Sequence, residues 1–302
     1  MPNVRFADRA LILVDGEDAE HFLQNILTID LSTLADDEVR PGALLTPQGK
    51  ILFDFLVSKI PGGYRLDCRR DAAADFARRL SLYKLRAKVT ISLEGQALVG
   101  AVWQDDSASS ETDSTPLHPD STASGSESIL RDTRFPVVAG VRRIYGGGAD
   151  SQTDANAWRA LRIAHGIAES GEDYALGDAF PHDVLLDLTG GVGFRKGCYV
   201  GQEVVSRMQH RGTARRRVLI ATADAALPPS GAAVEAGGRA LGTLGTVNGN
   251  AALAIVRIDR VKEAMDAGQP ITAGGIALSL AIPAWAGFTF LEAPSDTAAG
   301  DA

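Results

Sequence analysis

The residues best suited to chemistry form one run, Lys196-Gly197-Cys198-Tyr199-Val200-Gly201-Gln202-Glu203. Residues 202–209 read as a helix, so Cys198 stands just ahead of a helix N-terminus and two residues after Lys196. A helix N-terminus and a nearby ammonium both favour thiolate over thiol. A thiolate attacks electrophiles and ligates metals, which makes Cys198 the candidate reactive or ligating atom and Lys196 the group beside it. The plain alternative for any cysteine is a buried, inert thiol. That reading suits Cys68, which ends the strand-like stretch 64–68 without a glycine-rich setting.

Other chemistries fit poorly. Gly190, Gly191, Gly193, Gly197 and Gly201 make a glycine-rich loop, but it lacks the Gly-Lys-Ser/Thr ending of a phosphate loop and misses the dinucleotide fingerprint by one residue. None of His21, His118, His165, His182 and His210 sits in a motif for a cysteine hydrolase's base, and zinc-ligand spacing is absent. Two cysteines cannot supply the four thiolates of an ordinary iron–sulfur cluster, so Cys198 could furnish one ligand at most. Arg195, Lys196, Arg207, His210, Arg211, Arg215, Arg216 and Arg217 crowd one span and read as either a solvated face or an anion site.

The elements that must position this run belong to a chain of 302 residues, enough for two or three domains. A net charge of −8 argues against general nucleic-acid binding. Two distant cysteines suit a reducing compartment, and the first residues carry no apolar signal-peptide core, so the expectation is a cytoplasmic protein. Residues 271–291 are uncharged and long enough to span a bilayer. Gly274, Gly275, Pro283 and Gly287 make strand, turn and strand the better reading, so no membrane role is expected.

Strands are expected at 10–14, 51–57, 64–68, 89–93 and 97–103, the last two as a pair, with helices at 18–27 and 71–85. A helix at 155–164 carries Trp158, Leu161 and Ile163, with Gly166 as its C-cap. Residues 104–128 are acidic and serine-rich and cannot bury enough apolar surface to order, which reads as a disordered insert. Short strands with glycine-rich turns follow at 218–222, 233–235, 241–247, 252–257 and 276–282, the pattern of a small β-barrel, with a helical turn at 262–267.

The run 196–203 resembles the signature of the YgfZ-type folate-binding proteins, a branch of the glycine-cleavage T-protein (aminomethyltransferase) superfamily. Supporting stretches are Leu45-Thr46-Pro47-Gln48-Gly49-Lys50-Ile51, Gly16-Glu17-Asp18-Ala19 with Phe22-Leu23-Gln24, Arg162 with Gly166-Ile167 and Pro181, and the closing Leu253 to Arg257 and Pro283-Ala284-Trp285. The resemblance implies an α+β, three-part fold around a central cavity, with a C-terminal small β-barrel. The N-terminal region would comprise 1–103 and 129–210 as two interleaved subdomains, the barrel 211–292, and a tail 293–302.

It also implies tetrahydrofolate as cofactor, a transient iron–sulfur cluster, and an accessory role in cluster assembly or repair. Iron–sulfur assembly proteins and client enzymes such as those modifying tRNA would be the partners. Glu169, Tyr199, Gly201, Gln202, Glu203 and Arg207 are the implied folate contacts. Ala168-Glu169-Ser170-Gly171 resembles the enzymes' Glu-Ala-Gly motif, whose carboxylate holds the pterin; an ordinary surface glutamate is the other reading. True aminomethyltransferases read like Phe-Ile-Gly-Lys-Glu at the loop and lack its cysteine. The catalytic aspartate of those enzymes has no counterpart placed on this chain, which leaves a one-carbon transferase as the alternative.

Overall fold

The structure, a computed structural model, describes residues 1–104, 127–147, 154–212 and 214–290. The expected insert falls outside them except at its edges, where Gln104 N donates to Ala139 O and Ser128 opens a strand; the tail 293–302 lies outside entirely. The chain divides into two compact units, Met1–Trp158 with Thr189–Gln202, and Arg159–Leu188 with Glu203–Ala302.

The first unit is built on strands β1 (Asn3–Phe6), β2 (Arg9–Asp15), β3 (Glu38–Leu45), β4 (Ile51–Ile60), β5 (Gly63–Arg69), β6 (Thr90–Glu94), β7 (Val99–Val102), β8 (Ser128–Asp132) and β9 (Arg142–Tyr145). Their order is β1-β7-β9-β8-β3-β4-β5-β2-β6, antiparallel throughout except for a parallel join of β3 to β8 at Glu38 and Val39. Helix α1 (Ala19–Gln24) follows β2, and α2 (Arg70–Lys84) follows β5. Along α2, Ala73, Phe76 and Leu80 recur at helical spacing and are buried, and Phe76 stacks on Phe53 and Phe55 of β4 at 4.8 and 5.5 Å.

The expected pairing of 89–93 with 97–103 does not form: β6 pairs with β2, while β7 lies between β1 and β9. Burial explains the separation. Val99, Gly100 and Ala101 are buried and belong inside the sheet, whereas β6 is largely exposed and suits its edge.

Helix α3 (Ala155–His165) carries the chain into the second unit and ends at Gly166, whose φ of +69° serves the C-cap, with Ile167 N bonded back to Arg162 O. Helix α4 (Gln202–Arg211) precedes strands β10 (Arg216–Thr222), β11 (Ala233–Ala236), β12 (Arg239–Asn248) and β13 (Ala251–Arg257). Helix α5 (Ile258–Asp266) and strands β14 (Ile271–Ala273), β15 (Ile276–Ala277) and β16 (Ser279–Ala281) complete the unit. The sheet runs β15-β14-β11-β12-β13-β10-β16.

The stretch expected as one strand at 276–282 is therefore two, because β15 pairs with β14 and β16 with β10. One short segment thus supplies both ends of the strand order, which is the closure a barrel needs. On β13, Ala252, Ala254 and Val256 face the barrel core with Leu219, Val234 and Leu244. Leu253 and Ile255 face the opposite way and pack with Ile163, Leu185 and Ala286. Each fully buried valine, leucine or isoleucine side chain here contributes about 1.5–3 kcal/mol. No helix among the described residues is long and apolar enough to cross a membrane.

Candidate functional site

The Cys198 loop is fastened to the segment Leu27–Ile29 by side chains at both of its ends. Thr28, fully buried, donates from Oγ1 to Gly191 O at 2.6 Å and accepts from Ala43 N of β3 at 2.9 Å. Gly193 N donates to Thr28 O at 2.7 Å. Lys196 Nζ donates to Leu27 O and Ile29 O, both at 2.7 Å, and stands 5.3 Å from the centre of the Tyr199 ring. Gly193 must be glycine, since a Cβ there would lie 2.8 Å from Lys196 Cδ and 2.9 Å from Asp30 Cβ.

The Lys196 ammonium, two residues before Cys198 in sequence, bonds to main-chain carbonyls and so anchors the loop. Burial brings its pKa down from 10.5 to about 8, opposed by the charge of Asp30. Burial alone would raise the Asp30 pKa, but bonds from Ser32 and Gln24 and the Lys196 charge hold it below the ordinary value. Tyr199 is buried, and burial pushes its hydroxyl up to about 12.

Cys198 is exposed, whereas Cys68 is buried with its thiol pushed up to about 12, chiefly by burial; both are free thiols. Gly201 holds φ +79° and sits so close to Thr46 O that a Cβ would be 2.5 Å from it. Gln202 Oε1 accepts from Tyr199 N at 3.4 Å. Lys196, Tyr199, Gly201 and Gln202 are thus brought together in the first unit and are largely occupied with shaping the loop. The loop's bend also needs less freedom than its five glycines suggest, because only Gly190 and Gly201 among them have positive φ.

The other named residues lie in the second unit. Glu203 and Arg207 form an exposed ion pair with each other along α4, at 2.6 Å. Glu169 Oε2 lies 3.6 Å from Nε of Arg162, a fully buried guanidinium at the centre of a polar network. Arg162 Nη1 donates to Asp173 Oδ2 at 2.8 Å and Nη2 to Thr246 Oγ1 at 2.8 Å, with Glu172 also paired to Nη2. Burial opposes the Arg162 charge, but Glu169, Asp173 and Glu172 outweigh it and raise its pKa. Among the described residues no group of three or more His, Cys, Asp or Glu could hold a metal ion.

Sequence reasoning missed Thr28, Asp30 and the carbonyls of Leu27 and Ile29. Their contacts span more than 160 residues, and no local spacing announces them.

The nine-stranded first unit and the seven-stranded second sheet form an aminomethyltransferase-like fold. The solved structure of the glycine cleavage system aminomethyltransferase T from Bartonella henselae superposes with a TM-score of 0.70. It covers 94% of this chain and 86% of its own, at 17% identity. Residues 215–288 match the family model described as the CAF17 C-terminal beta-barrel domain. The mitochondrial iron-sulfur cluster assembly factor IBA57 of Mus musculus is 30% identical over 85% of this chain and 78% of its own length. An IBA57 homolog of Chaetomium globosum, also named mitochondrial, is 36% identical over 70% of this chain. This chain spans about half of that fungal relative, 54% of its length. The chain belongs to the IBA57 family.

These relatives overturn the cytoplasmic expectation, since their names place them in mitochondria. An apolar leader core bears only on secretion. Mitochondrial transit segments are amphipathic and arginine-rich, so that observation never separated the two compartments.

Proposed function

We propose that this chain is an accessory factor in iron–sulfur cluster assembly, with the Cys198 thiol as its working group. One observation carries the reading: Cys198 is exposed on a loop whose neighbouring residues are tied into the core by Lys196, Thr28 and buried Tyr199. Such a loop presents a thiol in a fixed place while the rest of the signature maintains its shape. The names of the relatives supply the task.

The cluster would be cargo. The chain has two cysteines and one is buried, so Cys198 furnishes a single ligand and the donor or recipient protein furnishes the others. In a strain lacking this protein, the wild type would restore cluster-dependent enzyme activity and Cys198→Ser would not. Full restoration by Cys198→Ser would sink the proposal.

We extend the proposal to tetrahydrofolate in the manner of the YgfZ-type proteins, with tRNA-modifying radical enzymes as clients. Bound tetrahydrofolate would supply a reduced pterin able to carry a one-carbon unit. The fit of the residues is partial. Glu169 is 21% exposed and can offer a carboxylate edge, but it also belongs to the Arg162 ion-pair network. Tyr199, Gly201 and Gln202 are engaged within their own loop. Glu169 is thus the residue that would hold the pterin, with Arg207 near enough in sequence to Glu203 to be drawn off it toward an anionic tail. Calorimetry of tetrahydrofolate binding, wild type beside Glu169→Ala, decides this; no heat in either protein removes folate. A one-carbon transferase remains the second reading, favoured by the likeness to the aminomethyltransferase fold. Turnover of an aminomethyl donor with tetrahydrofolate would be its signature.

A further inference from the structure

The C-terminal end of helix α2, in the first unit, carries a surface that the proposed function does not use. From Ala77 to Val89 the chain holds five Lys or Arg residues and no Asp or Glu, in a protein whose net charge is −8. Two of the five pair with acids from outside the run, Arg78 with Asp75 at 2.7 Å and Lys88 with Glu17 at 2.8 Å. Both pairs are well exposed and contribute little. Arg79, Lys84 and Arg86 have neither an ion pair nor a side-chain hydrogen bond among the described residues.

Two large apolar side chains sit among these cations. Leu82 is 66% and Leu85 89% exposed. Arg78 and Arg79 each stand one turn before Leu82, on the side of α2 away from the buried Ala73, Phe76 and Leu80. Leu85 is the C-cap of α2, with φ +45° and ψ −105°. A residue with a Cβ adopts a positive φ at a cost, and the end of α3 meets the same need with Gly166. Leucine at this cap is therefore unfavourable twice, in its backbone and in the apolar surface it gives to water. An apolar medium outside the protein would offset both.

We propose that this end of α2 rests on the surface of a bilayer containing anionic phospholipid. Leu82 and Leu85 enter the boundary between headgroups and acyl chains, and Arg79, Lys84 and Arg86 meet lipid phosphates. Charge complementarity calls for an anionic partner, and shape selects the membrane. The leucines project from a helix end, so a protein would need a pocket shaped to them, whereas the bilayer interface accepts any projecting apolar chain. No bond holds the three cations in position, which suits a diffuse field of mobile phosphates. Fixed carboxylates are more often met by oriented guanidinium forks. This is contact with a membrane surface, distinct from spanning it.

The test is sedimentation of the full chain with vesicles of two parts phosphatidylcholine to one part phosphatidylglycerol, beside vesicles of phosphatidylcholine alone. Wild type should pellet with the anionic vesicles only, and less as salt is raised. Arg79→Gln, Lys84→Gln and Arg86→Gln together should weaken the partition about a hundredfold. Leu85→Gly should weaken it about tenfold while melting no lower than wild type, because glycine suits the cap. Leu82→Gln should weaken it likewise. A purely structural role for Leu85 would move stability and binding together. Wild type that stays in the supernatant, equal binding to the neutral vesicles, or undiminished binding by the combined Leu82→Gln, Leu85→Gly variant would each overturn the proposal. The first of these would leave the patch to an acidic protein surface.

Discussion

Thr28 and Gly191 lie 163 positions apart, yet Thr28 Oγ1 donates to Gly191 O at 2.6 Å while accepting from Ala43 N at 2.9 Å. One hydroxyl therefore joins strand β3 to the start of the Cys198 loop. Thr28→Val keeps the shape and removes both bonds, leaving a buried N–H and C=O unpaired. The expected cost is about 1–3 kcal/mol in urea denaturation. Hydrogen exchange should show the Ala43 amide losing protection with it; an unchanged midpoint would mean the hydroxyl is dispensable.

Lys196 gives a pH dependence with a definite sign. Burial lowers its folded pKa from 10.5 to about 8, so the folded state sheds this proton before the unfolded state does. Folding then binds fewer protons between about pH 8 and 10.5, and this group's contribution to stability rises with pH across that window. The difference in denaturation midpoint between wild type and Lys196→Met should shift in favour of the wild type from pH 7.5 to pH 10. A difference that stays constant across the window would refute the assignment.

The two thiols should behave differently. Cys198 is exposed, while Cys68 is buried with its thiol pushed up to about 12. Alkylation of the native protein at pH 8 should label one thiol promptly and the second only after denaturation. Cys198→Ser should abolish the fast phase, as read by intact mass.

Gly201→Ala should damage the fold locally. The residue holds φ +79°, and a Cβ would lie 2.5 Å from Thr46 O, a backbone atom that cannot swing aside. The backbone conformation alone costs about 1–2 kcal/mol for alanine, and the clash adds to it. Gly197→Ala, whose Cβ would meet nothing within 4 Å, is the matched control and should melt near wild type.

Removing Arg162 should be severe. Its fully buried guanidinium balances Asp173, which is also buried, together with Glu169 and Glu172. Arg162→Leu leaves buried carboxylate charge unpaired, at an expected cost of about 3–5 kcal/mol by denaturant titration. It should also disturb any ligand held by Glu169, so stability and binding should be measured on the same preparation.

Much of this protein could be read from the chain alone. Phe76 and Leu80 announced α2, Gly166 its C-cap role after α3, and the short glycine-punctuated strands announced the barrel, because each depends on local periodicity or turn chemistry. Cys198 could be singled out because its neighbours in sequence are also its neighbours in the loop. The role of Lys196 could not be read, since its partners are main-chain carbonyls more than 160 residues away and every residue type has such carbonyls. Strand partnership was likewise hidden: β6 and β7 adjoin in sequence but separate in space, as burial of Val99 and Ala101 outweighs the short connection. Local spacing thus determined which elements form and which thiol is presented. Tertiary packing decided what holds that thiol's loop, because burial and long-range hydrogen bonds select partners that sequence distance does not encode.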